Sequence, residues 1–193
     1  MGETSLERAV VVITGVMASG KSTVAQLLAE RLPRAVHVRG DVFRRMVVSG
    51  RRDLVPGGDE EAVEQLRLRY RVSAATADLY AGAGWTAVVQ DVVLGEHLEP
   101  YLGAIRTRPL YLVVLAPSPE AVARREAARA KSGYGSWTVG GLDHVLRDET
   151  PRLGLWLDTT FQSPEETVEA ILAGLGAARV PGGPDDADAA PPR

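Results

Sequence analysis

The sequence predicts an α/β fold, a three-layer α/β/α sandwich in which helices cover both faces of a parallel, five-stranded sheet. Strand-like apolar runs alternate with helical segments along the chain, which is typical of parallel sheets with right-handed crossovers. The apolar runs are continuous rather than alternating with polar residues, as expected of strands buried on both faces. The chain has 193 residues, of which 45% are hydrophobic, and this suits one domain with a sizeable core.

The first half of the chain contains two predicted strands and three predicted helices. The run AVVVIT at Ala9–Thr14 has the uninterrupted apolar character of a central strand. Ser49–Gly58 is rich in Gly, Arg and Asp and is predicted to be a mobile loop. The remaining elements of this half are a helix at Lys21–Leu32, a strand at Ala35–Val38, a short helix from about Val42 and a long helix at Asp59–Ala83.

The second half contains three predicted strands, two helices and a tail. Ser118 is the predicted N-cap of one helix, and Ser163 opens the last helix with a capping box because Glu166 follows it by three residues. From Val180 the chain is acidic and proline-rich, which predicts a disordered tail after one domain of residues 1–179. The other predictions are strands at Trp85–Gln90, Leu110–Leu115 and Leu153–Leu157, and a flexible loop at Lys131–Gly141.

The composition argues against several functional classes. There is no cysteine, so disulfides, zinc–thiolate sites and thiol catalysis are excluded. The net charge of −3, from 22 basic and 25 acidic residues, provides no basic excess for nucleic-acid binding. The apolar runs are too short to span a membrane, and the first residues lack the apolar stretch of a signal peptide. We therefore expect a cytoplasmic protein that binds neither nucleic acid nor a membrane.

One motif predicts specific chemistry. Residues 15–22, GVMASGKS, match the phosphate-binding P-loop G-x-x-x-x-G-K-[ST] at every fixed position, between a predicted strand and an amphipathic helix. Loop N–H groups and the helix N-terminus bind phosphates, the lysine reaches the β- and γ-phosphates, and the serine hydroxyl is placed to coordinate Mg²⁺. The motif predicts a P-loop NTPase fold with ATP and Mg²⁺ as cofactors. The predicted nucleotide-binding residues are Gly15, Val16, Met17, Ala18, Ser19, Gly20, Lys21, Ser22 and Thr23; Lys21 is also a predicted catalytic residue, and Ser22 a predicted metal ligand.

Two further features narrow the class of P-loop protein. GTPases usually read guanine through an Asn-Lys-x-Asp motif, and this chain contains no asparagine. A motor or an AAA-type remodeller normally needs a longer chain than 193 residues. A compact P-loop kinase or a nucleotide-gated binding protein therefore remains.

Two acids follow predicted strands, at the sheet edge where ligands collect in doubly wound folds. Asp41 follows the second strand, where a carboxylate orients an acceptor hydroxyl and accepts its proton; the alternative is an N-cap for the helix from Val42. Asp91 ends the third strand in a Walker B arrangement, which supports Mg²⁺ or, in small kinases, the acceptor. The alternative for Asp91 is a structural turn residue.

Four arginines are further candidates. Arg125 and Arg129 share a helix face at i and i+4, ahead of the predicted flexible loop. We predict that both are catalytic, clamp the transferring phosphates and flank a lid around residues 131–141, with Arg129 also binding the nucleotide. Arg44 and Arg45 follow Asp41 by one helical turn and are candidates for binding an anionic or polyhydroxylated acceptor. For all four, a solvated helix surface is the alternative.

Several segments together resemble a known family. In order, they are GVMASGKST, Gly40-Asp41, QDVVLGEHL at Gln90–Leu98, REAAR at Arg125–Arg129 and LWLDTTFQSPEETVEAIL at Leu155–Leu172. This order resembles the chloramphenicol phosphotransferase-like family of small P-loop kinases and, more weakly, gluconate, shikimate and zeta-toxin kinases. The resemblance implies phosphate binding at the P-loop, an acceptor-side acid at Asp41, a strand-end acid at Asp91 and lid arginines at Arg125 and Arg129. Gln90 departs from the family, which often has an acid there.

The resemblance implies an ATP-dependent O-phosphotransferase that acts on antibiotics or other small alcohols, with self-resistance as one role. We therefore expect transfer of the γ-phosphoryl group to a hydroxyl of a small molecule, an antibiotic or a nucleoside-like compound. One alternative is a sugar or metabolite kinase of the gluconate or shikimate kind, and another is a nucleotide-binding regulator without acceptor chemistry. A polynucleotide kinase is disfavoured by the net charge.

Overall fold

The sheet of the protein has five strands, all parallel. The computed structural model describes residues 6–128 and 134–182, and the statements below refer to this part of the chain. The strand order is β2-β3-β1-β4-β5, with parallel register throughout. The predicted fold class is confirmed. The strands are β1 at Val10–Gly15, β2 at Ala35–Arg39, β3 at Thr86–Gln90, β4 at Leu110–Leu115 and β5 at Leu155–Leu157.

The central strand β1 has two buried faces, which explains its continuous apolar sequence. Val10 and Val12 pack into one hydrophobic cluster, whereas Val11 and Ile13 pack into a second cluster on the opposite face. Successive side chains of a strand point to opposite faces, so a strand between two helical layers has to be apolar at every position.

Helices form the outer two layers. Helices α1, α7 and α8 pack on one face of the sheet, and α3 and α4 cover the other. A 3₁₀ turn at Gly95–His97 leads into α4, and a π-helical turn at Val145–Glu149 extends α6. In the two described ranges, every helix is too short or too polar to cross a lipid bilayer. The helices are α1 at Lys21–Arg31, α2 at Gly40–Met46, α3 at Glu60–Gly82, α4 at Leu98–Ala104, α5 at Pro119–Ala127, α6 at Val139–His144, α7 at Pro164–Ala173 and α8 at Leu175–Ala178.

Local capping signals predicted helix starts well, but some elements differ from expectation. Ser118 accepts a hydrogen bond from the backbone of α5, and Ser163 forms the predicted capping box at the start of α7. Helix α2 begins at Gly40, two residues earlier than predicted. Helix α6 begins at Val139, inside the predicted flexible loop, because Thr138 caps it. Helices α4 and α8 are too short to give a clear periodic signal.

The C-terminal segment bonds to the sheet at Val180, one residue beyond the predicted domain boundary at residue 179. The backbone N–H of Val180 donates a hydrogen bond to the carbonyl of Leu110 at 2.9 Å, and Arg179 forms an antiparallel bridge with Tyr111. The first residue of the predicted tail therefore contacts the folded domain. Residues 183–193 lie outside the described part of the chain, so disorder of the tail stays a prediction.

Two truncations distinguish the docked residues from the rest of the tail. Removing residues 180–193 should lower the free energy of unfolding by roughly 1 kcal/mol more than removing residues 183–193, because only the longer deletion removes the Val180 hydrogen bond. Urea unfolding of the two truncated proteins measures this difference. Equal unfolding free energies would show that the Val180 contact does not stabilise the domain.

Candidate functional site

A cleft of about 1320 Å³ lies at the carboxyl ends of β1, β2 and β3. Ligands of doubly wound sheets bind at this edge. Its walls come from residues 17–23 after β1, the start of α2, the loop at 51–55, the first half of α3, residues 90–97 after β3, and residues 134–137. Segments that are distant in the sequence therefore form one continuous site.

The P-loop connects β1 to α1 with the expected geometry. Gly15 has a φ of 143°, and a Cβ atom there would lie 2.4 Å from the carbonyl oxygen of Leu115, so only glycine fits. Gly20 is the N-cap of α1, where no side chain caps the helix and no acid occupies the first turn. The N–H groups at this helix end therefore keep their capacity to bind an anion.

Lys21 holds its ammonium group at the loop. Its Nζ donates a hydrogen bond to the carbonyl of Val16 at 2.6 Å and lies 3.5 Å from the hydroxyl of Ser19. The residue is only 6% exposed, so the positive charge lies beside the loop backbone. Six of the nine predicted loop residues line the cleft, and the other three, Gly15, Val16 and Ser19, are buried beneath it.

Ser22 is hydrogen-bonded to the end of the neighbouring strand. Its hydroxyl donates to Oε1 of Gln90 at 3.1 Å. A hydroxyl that donates its hydrogen to an amide oxygen keeps lone pairs for another ligand. Gln90, the residue before the predicted Walker B acid Asp91, is thus the strand-end residue that contacts Ser22. From the sequence alone, Gln90 is only a departure from the family pattern.

Asp91 lies in a different environment, paired with an arginine that the sequence analysis missed. Its Oδ1 accepts hydrogen bonds from Arg69 at 2.8 Å and from the backbone N–H of Val92 at 2.7 Å. Its Oδ2 is buried without a partner among the described residues. Burial raises the pKa of the Asp91 carboxyl, and the Arg69 guanidinium acts in the opposite direction. No hydrogen bond in the described structure joins Asp91 to Ser22, so a metal role for Asp91 stays a prediction.

Asp41 lines the cleft from the first turn of α2. The N-cap of this helix is Arg39, and no side chain caps it, so the alternative reading of Asp41 as the N-cap is wrong. The Asp41 carboxylate is about half exposed and lies 3.1 Å from Arg45. Gly40 allows this arrangement, because a Cβ atom there would overlap the Asp91 carboxylate at 1.9 Å. The close approach brings Asp41 and Asp91 to the same wall.

The two arginines after Asp41 have different surroundings. Arg44 lines the cleft and pairs with both carboxylate oxygens of Asp53, at 2.7 and 2.5 Å. Arg45 pairs with Asp41 and is not among the residues that line the cleft. Of the two arginines, only Arg44 therefore lies on the cleft surface that an acceptor would contact.

The loop predicted to be mobile is attached to its neighbours at several points. Gln65 on α3 accepts a hydrogen bond from the N–H of Arg52 and donates one to the carbonyl of Gly50, both at 2.8 Å. The indole N–H of Trp137 donates to the carbonyl of Leu54 at 3.0 Å. These bonds hold the loop against α3 as the outer wall of the cleft.

Residues 134–137 contact both sides of the cleft, and their role as part of a lid stays a prediction. The Tyr134 hydroxyl donates to the carbonyl of Met17 in the P-loop at 3.0 Å, whereas Trp137 contacts the outer loop. Tyr134 was not predicted as a site residue. Of the predicted lid at residues 131–141, residues 131–133 lie outside the described part of the chain, and residues 139–141 form the start of α6.

Arg125 lines the cleft beside the P-loop. Its guanidinium donates to the carbonyl of Thr159 at 2.6 Å and to that of Ser19 at 3.4 Å. The group therefore contacts the loop that would hold the phosphates, although it is engaged by backbone carbonyls here. Arg129 falls in the segment 129–133 that the structure does not describe, and its role stays a prediction.

Three comparisons place this geometry among known proteins. Residues 10–141 match a family described as an AAA domain. A UPF0200 protein of Aeropyrum pernix is 33% identical over 138 residues, which cover 70% of this chain and 72% of that protein. A sugar kinase from a Janibacter species has a TM-score of 0.63 and 25% identity, covering 89% of this chain and 95% of that chain.

A further solved structure bears on the fold of the nucleotide site. The APS kinase CysC of Mycobacterium tuberculosis, in complex with AMPPNP and APS, has a TM-score of 0.63 and 21% identity, covering 87% of this chain and 97% of that chain. The fold is therefore that of small P-loop kinases. The comparisons do not single out the chloramphenicol phosphotransferase-like family that the sequence resembles.

Proposed function

We infer that this chain, which belongs to the AAA domain family matched over residues 10–141, is an ATP-dependent phosphotransferase that acts on a hydroxyl of a small molecule. The observation that carries this proposal is that one cleft contains both the P-loop with Lys21 and the carboxylate of Asp41. A phosphate-binding loop alone supports nucleotide binding. A carboxylate across the same cleft supplies the group that an acceptor hydroxyl requires.

In the proposed reaction, the loop N–H groups and Lys21 bind the β- and γ-phosphates. The acceptor oxygen attacks the γ-phosphorus and forms the new P–O bond, while the bond to the β-phosphate oxygen breaks and ADP leaves. Asp41 orients the acceptor hydroxyl and takes its proton, which restores the neutral charge of the new ester oxygen. The reaction thus needs no group other than ATP, the acceptor and the metal that accompanies the nucleotide.

Mg²⁺ fits the donor set around Ser22. The Ser22 hydroxyl donates to Gln90 and keeps its lone pairs for a cation. An ion at this hydroxyl would be carried mainly by the nucleotide phosphates and by water. When bound, Mg²⁺ would neutralise negative charge on the nucleotide phosphates.

Replacing Gln90 with leucine tests this arrangement. The change leaves the Ser22 hydroxyl without its acceptor, and partners of metal ligands typically contribute about 10- to 100-fold to metal affinity or activity. We expect the Mg²⁺ concentration that half-saturates nucleotide turnover to rise by about that factor. Gln90→Glu, which keeps an acceptor oxygen, is the matched control. An unchanged Mg²⁺ requirement in Gln90→Leu would remove Gln90 from the metal site.

For the acceptor, we propose an antibiotic or a nucleoside-like compound, with self-protection as the role. The cleft of about 1320 Å³ exceeds the roughly 300–1,000 Å³ of pockets that hold one drug-sized ligand. It therefore has room for the nucleotide phosphates together with a bulky acceptor. The resemblance to the chloramphenicol phosphotransferase-like family points in the same direction.

A sugar or metabolite kinase is the second candidate. Its support is the likeness to the Janibacter sugar kinase over 89% of this chain. Polar side chains that line the cleft also suit a polyhydroxylated acceptor. They are Asp41 and the Arg69–Asp91 pair.

A screen that couples ADP release to a detectable signal tests both candidates. Antibiotics, nucleosides and hydroxylated metabolites are added singly with ATP and Mg²⁺, and the product mass is read for each active compound. We expect acceptor-dependent ADP release and a product heavier by one phosphoryl group. A protein that binds ATP but phosphorylates none of these compounds would favour the alternative of a nucleotide-binding regulator.

A further inference from the structure

One side of the cleft is lined by large apolar side chains that remain exposed. Met46, Val55, Leu68 and Val72 all line the cleft, with exposed fractions of 66%, 39%, 47% and 38%. We call these four residues the apolar wall. Single exposed apolar residues are ordinary, but several in one concave surface mark a place where a ligand or partner binds.

The apolar wall is assembled from three separate elements. Met46 ends α2, Leu68 and Val72 lie one turn apart on the same face of α3, and Val55 belongs to the loop between these helices. The loop is held in position by Gln65 and by the Trp137 indole. Because three elements contribute to one surface, the apolar wall does not result from the amphipathic pattern of α3 alone.

Two arginines that line the cleft beside the wall are paired within the protein. Arg44 is bonded to both oxygens of Asp53, and Arg52 is bonded to Glu61 at 3.2 Å. An uncharged ligand group on the wall therefore leaves these ion pairs intact. An apolar ligand group gains the most binding free energy there, because it removes the exposed apolar side chains from water.

We propose that the apolar wall binds an alkyl chain or an aromatic ring of the acceptor, so that the acceptor is amphiphilic. The inference rests on the proposed function: the hydroxylated part of the acceptor lies at Asp41, and its apolar part extends along the wall. Continuity of the wall with the cleft that contains the P-loop and Asp41 favours the acceptor as the occupant. A second protein copy seated there would close the cleft to any acceptor.

Leu79 provides a control within the same helix. It is 75% exposed and lies on α3, but it does not line the cleft. A non-specific apolar ligand would contact Leu79 as readily as the wall. A ligand that enters the cleft contacts only the wall.

Alkane-1,2-diols are suitable probes, because they combine a minimal hydroxylated head with a chain of chosen length. Ethane-1,2-diol, hexane-1,2-diol and octane-1,2-diol are titrated into the full chain, and methyl NMR signals of the four wall residues and Leu79 are followed. Full burial of one methylene is worth about fourfold in affinity. We expect saturable shifts at the wall, an affinity that rises roughly two- to fourfold per methylene from the six- to the eight-carbon diol, and no shift at Leu79. Absence of saturable shifts at the wall, or equal shifts at Leu79, would overturn the proposal.

A pair of variants tests the same surface by substitution. Leu68→Ser combined with Val72→Ser should weaken octane-1,2-diol binding by roughly tenfold or more, since two contact side chains become polar. Leu79→Ser should bind as the wild type does, and thermal unfolding of each variant establishes that it is folded. Equal binding by both variants would contradict the proposal. If the double variant does not fold, the titration of the wild type decides alone.

Diol binding does not require phosphoryl transfer. The proposed kinase activity and the proposed amphiphilic acceptor can therefore be rejected independently. Loss of chain-length dependence, with phosphorylation of polar acceptors intact, would reject the amphiphilic acceptor and keep the kinase. Chain-length-dependent binding at the wall, without phosphorylation of any compound in the acceptor screen, would reject the kinase and reduce the wall to a binding surface.

Discussion

Replacing Lys21 with alanine is expected to abolish phosphoryl transfer. Charge spreads over the oxygens of the γ-phosphoryl group during transfer, and fixed positive groups beside it stabilise the transition state. Lys21 holds its ammonium at the P-loop, bonded to the carbonyl of Val16. Arg125, a second cation beside the loop, is bonded to the carbonyls of Thr159 and Ser19. We expect a loss in kcat of at least about 10²–10³-fold, the scale for one lost electrostatic contact.

The measurement is turnover of ATP with an active acceptor, alongside urea unfolding of the same protein. Lys21→Ala also frees the carbonyl of Val16, which we expect to cost roughly 1 kcal/mol of stability. Arg31→Ala is the matched control, because it removes a cation from the other end of α1, where Arg31 pairs with Glu169 on the surface. Normal turnover in folded Lys21→Ala protein would contradict the P-loop assignment.

Replacing Asp41 with asparagine should separate acceptor chemistry from nucleotide binding. Asparagine keeps the size of the side chain but cannot take the proton of an acceptor hydroxyl. General-base contributions are typically about 10²–10⁴-fold, so kcat should fall by that order. ATP affinity should change little, because the P-loop is untouched.

The stability of Asp41→Asn should also be close to that of the wild type. Asp41 does not cap α2, and its ion pair with Arg45 is exposed on both sides; such pairs are worth about 0–1 kcal/mol. Glu64→Gln is the control, since it neutralises an acid in a comparable exposed pair with Arg67 on α3 that lies outside the cleft. If Asp41→Asn transfers phosphate at the normal rate, Asp41 is not the base, and Asp91 becomes the candidate to test next.

The parts of the structure that the sequence predicted are those set by short-range patterns. The run at β1 is apolar at every position because both of its faces are buried. The P-loop depends on glycines at fixed positions, such as Gly15, where a larger residue would meet a backbone carbonyl. The cap at Ser163 depends on a residue three positions away. Each of these patterns lies within about ten residues of sequence, so each can be recognised in one sequence without the structure.

The features that sequence analysis missed depend on contacts between distant segments. Arg69 meets Asp91 across 22 residues, and Ser22 meets Gln90 across 68. Neither pair is marked by a local motif. In the sequence, Arg69 within the long helix α3 cannot be distinguished from a solvent-exposed arginine. Trp137 likewise meets its partner loop only in the folded chain.

The most direct test of the central claim is to follow the γ-phosphoryl group itself. The protein is incubated with ATP labelled in the γ-phosphate, Mg²⁺ and a mixture of antibiotics, nucleosides and hydroxylated metabolites, and the label is then separated by chemical form. We expect label in a small organic product, formed by the wild type and lost in Lys21→Ala and in Asp41→Asn. Label found only in inorganic phosphate, or no cleavage of ATP in the presence of the mixture, would contradict this claim.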